Sequence, residues 1–202
     1  MGRPSNTEER RQQIAAGLLQ VMAERGYEGA SVAAIAKAAG LSPGLVHYHF
    51  KDKQEILLML AEQLAARVHE RVTARLARVK EGDARARVEA FLDAFLATGA
   101  DADPASVASW VTISAEAIRQ PEVRAIYEKV VRTDIQHLEA LVGAVTGKRR
   151  ARTAAAGLFA AIQGYFVLAA SVPGVVPPGS AASTVKRMAA GLLDTAQPSE
   201  EP

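Results

Sequence analysis

Residues 31–53 read SVAAIAKAAGLSPGLVHYHFKDK, and this stretch decides the fold of the chain. Two short runs with the apolar spacing of helices lie on either side of a turn that contains Gly40. Ser31 and Ser42 stand where helix N-caps are expected, and Pro43 occupies the first position of the second run, where its missing N–H is tolerated. Two short helices joined by a glycine-containing turn predict a helix-turn-helix.

Helical periodicity continues on both sides of this stretch, and no convincing alternation of period two occurs. Hydrophobic residues make up 49% of the chain and aromatic residues only 5%, a composition that favours helices over strands. We therefore expect an all-α fold with an N-terminal three-helix domain and a larger helical domain behind it. The pattern predicts about nine helices, at approximately 7–25, 32–39, 43–50, 52–79, 84–98, 104–119, 122–145, 149–171 and 181–195.

Composition excludes several classes of function. The chain has no cysteine, so disulfide scaffolds and thiolate chemistry are absent. No stretch reaches about 18 uninterrupted apolar residues, and the N-terminus has charge without an apolar segment behind it, so we expect a soluble cytoplasmic protein without a membrane partner. Asp134 and His137 have the spacing of a metal pair but lack a third ligand. We expect no catalytic residues, no metal and no cofactor.

The second short helix has the character of a recognition helix. Val46 and Phe50 are four residues apart and should face the core of the domain. The remaining positions lie on faces that the major groove of DNA can receive, where the leading end of such a helix contacts base edges. These positions are Pro43, Gly44, Leu45, His47, Tyr48 and His49.

These residues resemble the DNA-binding domain of the tetracycline-repressor-like (TetR) family. The family pattern appears here as Ser31, Ile35-Ala36, Ala39-Gly40-Leu41-Ser42, Gly44, Tyr48-His49-Phe50 and Lys53. The resemblance covers about residues 10–55. One position departs from the family, which most often has at position 47 a tyrosine that bonds a phosphate, whereas this chain has His47.

The resemblance implies a role for each matching position. Contacts to phosphate position a protein on DNA, and contacts to base edges read the sequence. The phosphate contacts are assigned to Ser42, Tyr48, His49 and Lys53, with Ser31 adding the N-terminus of the second helix. The residues nearest the bases are Pro43, Gly44, Leu45 and His47.

The resemblance and the helix pattern together predict the organisation of the chain. We expect a DNA-binding domain over residues 1–52, a regulatory and dimerisation domain over 53–195 and a disordered tail over 196–202. The first 53 residues hold seven Lys and Arg against five Asp and Glu, and the remainder holds seventeen of each, so the whole net charge of +2 is N-terminal. That excess is too small to indicate nucleic-acid binding by itself.

The helices after residue 53 contain candidates for two further tasks. An effector pocket needs apolar walls with a few placed polar groups, and the predicted lining is Phe91, Phe95, Trp110, Ser114, Tyr127, Gln163 and Phe166. Ordinary core packing is the alternative for each of these residues. A stripe of small residues lets a second helix approach closely, and the predicted dimer contacts are Gly157, Ala161, Gly164, Val185, Met188 and Leu192.

These expectations combine into one function. We expect a bacterial transcriptional regulator that binds an inverted-repeat operator in double-stranded DNA as a homodimer. A small hydrophobic or amphipathic effector is expected to release this regulator from the DNA. The nearest carboxylate that could bind a cation beside Trp110 is Glu116, almost two helical turns later. This separation favours a neutral or weakly polar effector over a quaternary amine. Two alternatives stay open: a regulator controlled by a protein partner instead of an effector, and a small helical enzyme with a vestigial DNA-binding domain.

Overall fold

The computed structural model of the protein describes residues 6–97 and 103–194. Within these ranges it contains nine α-helices and no strands, which confirms the predicted all-α class. The predicted tail, 196–202, lies outside the described residues. The helices are α1 (Asn6–Arg25), α2 (Val32–Ala38), α3 (Pro43–His49), α4 (Lys53–Leu76), α5 (Ala84–Phe95), α6 (Pro104–Ala117), α7 (Pro121–Thr146), α8 (Lys148–Ser171) and α9 (Ser180–Asp194).

The first three helices pack around one small core. The apolar stripe of α1 is buried, as predicted, and so are the inward positions of α2 and α3. Gly17 allows α1 and α2 to approach closely, because a Cβ atom at this position would lie 2.8 Å from the carbonyl oxygen of Ile35. The buried residues of this core are Ile14, Leu18, Val21, Met22, Ile35, Val46 and Phe50.

The fourth helix begins as predicted and ends earlier. The Asp52 carboxylate accepts a hydrogen bond from the Glu55 backbone N–H at 2.9 Å, and the Glu55 carboxylate accepts one from the Lys51 backbone N–H at 2.8 Å. Sequence predicted that the helix reaches residue 79, but it ends at Leu76. Beyond that residue the backbone tightens, since the N–H groups of Arg78 and Val79 bond to carbonyls three residues back.

The described structure divides into two compact units. Unit 1 comprises residues 1–65 and 109–130, and unit 2 comprises residues 66–108 and 131–202, so α4, α6 and α7 each contribute to both. Unit 1 therefore holds more than the three N-terminal helices, and the predicted domain boundary after residue 52 stays a prediction. Unit 2 contains ion pairs between distant elements, namely Arg85 with Asp194 and Lys186 with Asp93.

The eighth helix differs from the expectation that no segment is suited to a membrane. By length and composition α8 is apolar enough to span a membrane. The expectation considered only uninterrupted apolar runs, and Gly, Ser and Gln residues interrupt the apolar run of α8. The core helices of soluble proteins meet the same criterion. One face of α8 is buried in the protein through Ala151, Ala155, Leu158, Ile162 and neighbouring residues.

We expect Gly17→Ala to destabilise the protein by about 1–3 kcal/mol, because the added methyl group meets backbone atoms that cannot move aside cheaply. Gly143→Ala is the matched control, since its Cβ would lie at an ordinary 3.5 Å from the Cβ of Ala151. There the higher helix propensity of alanine should leave stability unchanged or raise it by up to about 1 kcal/mol. Urea unfolding of both variants measures the difference, and equal stabilities would contradict the close approach of α1 and α2.

Candidate nucleic-acid interface

The turn before the recognition helix is fixed by backbone hydrogen bonds. Gly40 has a φ of +66°, a conformation that residues with a Cβ rarely adopt. The Leu41 N–H donates to the Ala36 carbonyl at 2.9 Å, and the Gly40 N–H donates to the Lys37 carbonyl at 3.2 Å. This pair of bonds is the Schellman ending of a helix, so α2 terminates at a defined residue and the chain turns directly into α3.

Two serines cap the helices on either side of this turn, as predicted. The Ser31 hydroxyl accepts a hydrogen bond from the Ala34 N–H at 3.2 Å, and the Ser42 hydroxyl accepts one from the Leu45 N–H at 3.3 Å. Pro43 lies at the start of α3. Both serines are exposed, and each cap uses a hydroxyl oxygen as the acceptor, so the hydroxyl proton is not consumed by the cap.

The recognition helix α3 has one buried side and one exposed side. Val46 and Phe50 are buried in unit 1. The opposite side carries the predicted DNA contacts: Tyr48 is 79% exposed, its ring meets that of His49 edge to face, and His47 is also exposed. Pro43 and Gly44 are exposed, and Leu45 and His49 are half-buried.

Lys53 has partners that sequence reasoning did not foresee. Its ammonium donates to the backbone carbonyls of Tyr27 at 2.9 Å and Glu28 at 3.4 Å, and it lies 4.3 Å from the centre of the Tyr27 ring. Burial raises the pKa of Tyr27 to about 12, with the charges of Glu122 and Asp52 adding to the rise, so its hydroxyl stays neutral. An ammonium has three N–H donors, and these two bonds leave the third for another acceptor.

The predicted effector residues fall into separate clusters. In unit 1 the rings of Trp110 and Tyr127 lie 4.8 Å apart at 33°, and burial raises the pKa of Tyr127. In unit 2 Phe91 stacks on Phe95 at 4.8 Å, and Phe95 meets Phe159 edge to face at 5.7 Å. The seven predicted residues therefore do not form a single lining within either unit.

Two of the predicted residues line a cavity of about 280 Å³ in unit 2. Phe95 and Phe166 form part of its wall, together with Tyr165, Val107 and the loop over residues 172–179. The described residues around this cavity include no Asp, Glu, Lys, Arg or His side chain. Of the predicted polar groups, neither Ser114 nor Gln163 is in the lining, and the Ser114 hydroxyl donates to the Val111 carbonyl of its own helix at 2.8 Å.

The predicted dimer contacts lie on α8 and α9 with unequal exposure. Gly157 and Gly164 are exposed with open space around them, Ala161 is half-buried, and Met188 and Leu192 are 49% and 42% exposed. Val185 differs, because it is completely buried within its own chain. A side chain with no free surface cannot contribute area to a second interface, so Val185 belongs to the core instead.

Asp134, which has the spacing of a metal pair with His137, is bonded to a histidine of α4. The Asp134 carboxylate is buried and lies 2.6 Å from Nε2 of His69. This hydrogen bond raises the pKa of His69, with burial opposing the rise, whereas burial lowers the pKa of His137. No group of three metal-ligating side chains occurs among residues 6–97 and 103–194.

Two comparisons with protein families match separate parts of the chain. Residues 14–60 match the family described as bacterial regulatory proteins, tetR family, and residues 84–194 match the family described as BetI-type transcriptional repressor, C-terminal. The second match alone covers more than half of the chain. This chain belongs to the tetR family and carries a BetI-type repressor domain. It is a DNA-binding transcriptional regulator.

Individual relatives agree with this assignment. The HTH-type transcriptional regulator BetI of Proteus mirabilis is 29% identical over 161 residues, which cover 80% of each chain. A transcriptional regulator from Rhodococcus sp. Rha1 has a similar structure, with 28% identity, a TM-score of 0.70, and coverage of 92% of this chain and 96% of that one. A protein from Saccharomonospora viridis, solved in complex with choline, shares the fold at 23% identity, with a TM-score of 0.65 and coverage of 93% and 96%.

Sequence reasoning missed two α1 residues that hold this tetR-family domain together. The Arg11 guanidinium donates to the His49 carbonyl at 2.7 Å, and the Gln13 amide donates to the Ala39 carbonyl at 2.6 Å. The sequence contained a signal for both residues. Gln13 directly precedes the buried Ile14, and Arg11 lies about one helical turn before it. A polar side chain at the edge of a buried stripe needs a hydrogen-bond partner.

We expect Lys53→Ala to weaken binding to every DNA sequence alike and to lower the salt slope by about one, because a phosphate contact releases a counterion without reading a base. His47→Ala should change sequence preference instead. The probes are a duplex that the wild-type protein selects from a random-sequence library, here called the selected duplex, and a scrambled duplex of the same length. An unchanged salt slope for Lys53→Ala would show that this residue acts only on the Tyr27 and Glu28 carbonyls.

Proposed function

We propose that this tetR-family protein is a ligand-responsive repressor that binds an inverted-repeat operator as a homodimer. The observation that carries the proposal is the exposed side of α3, where His47 and Tyr48 are accessible and Val46 on the opposite side is buried. A helix of seven residues covers few base pairs, so one chain alone reads too short a sequence. Two copies related by a twofold axis read an inverted repeat.

The roles proposed for the residues between Ser31 and Lys53 are those that the resemblance to the tetR family implies. Ser31, Ser42, Tyr48, His49 and Lys53 contact phosphates. Pro43, Gly44, Leu45 and His47 lie nearest the bases, because the leading end of a recognition helix enters the major groove. The small surface of Gly44, which has open space around its Cα, lets the helix approach the base edges closely.

The exposed side of α8 and α9 supports dimerisation. Besides the glycines, α8 exposes Val167 and Leu168, and α9 exposes Met188 and Leu192. An apolar surface of this kind is typical of a protein interface. Two copies of the α8 and α9 pair form a four-helix contact in which Gly157 and Gly164 allow close helix approach.

The cavity in unit 2 supports an uncharged, apolar effector. Its described lining is aromatic and aliphatic, with the Tyr165 side chain as the largest polar group. An ion enters such a site only with a partner that offsets its lost hydration. The helix α4 contributes residues 66–76 to unit 2 and residues 53–65 to unit 1, so it is the covalent route from this unit to the DNA-binding helices.

A quaternary amine is the second candidate, because a protein of the same fold was solved with choline. The aromatic pair Trp110 and Tyr127 and the buried Glu116 carboxylate in unit 1 have the chemistry that such a cation needs. Two contacts oppose this reading: the rings already pack against each other, and Glu116 already pairs with Arg119 at 2.9 Å. The neutral effector is therefore favoured.

Two further parts of the proposal rest on the relatives. The named relatives are transcriptional regulators, which supports a binding protein over an enzyme with a vestigial DNA-binding domain. They also support an intracellular, cytoplasmic protein, since a regulator of transcription acts where the DNA is. Control by a protein partner instead of an effector remains the alternative that the effector test below decides.

Light scattering at micromolar concentration should give a mass of about twice 21.4 kDa. We expect Gly164→Arg to produce a monomer that has lost specific DNA affinity, since the longer side chain fits the single chain but blocks a second helix. Ile118→Arg is the control, because Ile118 is 75% exposed in the turn between α6 and α7. A wild-type monomer that still binds the selected duplex specifically contradicts the dimer.

We expect 1-decanol, as a neutral apolar probe, to weaken binding to the selected duplex about 5- to 150-fold, the usual range of allosteric coupling. Ala169→Phe fills the cavity in unit 2 and should abolish the response, whereas Ala125→Phe on the exposed side of α7 should keep it. Choline is tested in parallel. A response to choline that quenches the single tryptophan, Trp110, and survives Ala169→Phe reverses the choice of effector, and no response to either probe favours control by a partner protein.

A further inference from the structure

Arg11 of α1 contacts three features near the end of the recognition helix. Its guanidinium donates to the His49 carbonyl at 2.7 Å, lies 4.2 Å from the centre of the Phe50 ring, and approaches the Glu55 carboxylate at 3.8 Å. Its side chain is 28% exposed. All four residues belong to unit 1.

The three contacts follow the chain out of the recognition helix. His49 is the last residue of α3, and its carbonyl has no partner within that helix. Phe50 then leaves the helix in an extended conformation, with a φ of −142°. Glu55 lies in the first turn of α4 and also accepts a hydrogen bond from the Lys51 backbone N–H. Arg11 therefore touches the end of α3, the connection and the beginning of α4.

A guanidinium is suited to this position for a geometric reason. It is planar, so one face can lie over the Phe50 ring while the N–H groups at its edge point to His49 and Glu55. A lysine ammonium carries the same charge but is a point donor on a flexible chain. It cannot stack on the ring and keep both polar contacts.

The contacts of Arg11 point into the protein and not away from it. A carbonyl, an aromatic face and a carboxylate already surround its charged group. Nη1 donates to the His49 carbonyl and Nη2 faces the Glu55 carboxylate, so the charge of Arg11 already has partners within the protein. The geometry thus separates Arg11 from the exposed residues of α3 that meet DNA directly.

We propose that Arg11 is a positioning residue that fixes the direction of the recognition helix relative to α1 and α4, and thereby sets sequence discrimination without touching DNA. This inference rests on the proposed reading of bases by α3. When Arg11 is altered, the exposed side of α3 keeps its polar side chains, but the orientation of the helix is no longer fixed. Specific contacts weaken because they depend on alignment, whereas phosphate attraction persists because it tolerates small rotations.

The test uses the full-length protein and three variants. Arg11→Lys keeps the charge and removes the planar group, and Arg11→Gln removes both. Arg25→Gln is the matched control. Arg25 is exposed in the last turn of the same helix, and this substitution removes the same charge as Arg11→Gln. Affinities for the selected and the scrambled duplex are measured over a range of salt concentrations, and hydrogen exchange follows the amides of residues 45–50.

We expect Arg11→Lys to lower the affinity for the selected duplex about tenfold and the affinity for the scrambled duplex less than about twofold, with an unchanged salt slope. Amide protection in α3 should fall while that in α1 is retained. Arg11→Gln should show the same loss of discrimination, and Arg25→Gln should keep the ratio of the two affinities.

Three results would overturn the proposal. Equal losses on both duplexes with a salt slope lowered by about one in Arg11→Gln would make Arg11 a phosphate contact. Wild-type discrimination in Arg11→Lys would show that charge alone matters. Loss of the helical circular-dichroism signal in both Arg11 variants would make the residue a requirement for folding and not a positioning residue. If the wild-type protein itself does not prefer the selected duplex, the proposed function fails first, which distinguishes the two failures.

Discussion

The turn between α2 and α3 closes through two hydrogen bonds that require a left-handed backbone at position 40. With Gly40 at φ +66°, the N–H groups of Gly40 and Leu41 reach back to the last carbonyls of α2, and Ser42 begins the next helix at once. Any other residue at this position strains the turn. The position and direction in which α3 begins therefore depend on this one backbone conformation.

The first helix then fixes what the turn leaves free. Gln13 binds the Ala39 carbonyl, at the end of α2, and Arg11 binds the His49 carbonyl, at the end of α3. The close packing at Gly17 brings α1 near enough to α2 for the Gln13 bond to form. The unsatisfied carbonyls that end each short helix thus become attachment points to a third helix. Helices of seven residues are marginal in isolation, and such tertiary contacts stabilise them.

Local chemistry explains which features could be predicted from the sequence. The caps at Ser31, Ser42 and Asp52 involve residues three apart, so spacing alone reveals them. The C-terminal end of α4 depends on the last turn of the helix, and the partners of Lys53 are backbone groups that lie far away in sequence. Spacing determines neither of these. The grouping of aromatics failed for the same reason: Trp110 pairs with Tyr127, and Phe95 with Phe159, through the packing of different helices.

The helix α8 shows why burial has to be considered face by face. A helix that is apolar on all sides is normally enclosed on all sides. In the single chain one side of α8 packs against the protein through Leu158 and Ile162, and the other exposes Gly157, Gly164 and Val167. On α9 the same division separates the buried Val185 from the exposed Met188. Sequence periodicity does not distinguish an apolar side that packs within the chain from one that stays exposed, so it assigned Val185 to the dimer contacts instead of the core. In the proposed dimer, a second copy of the chain would bury the exposed apolar side.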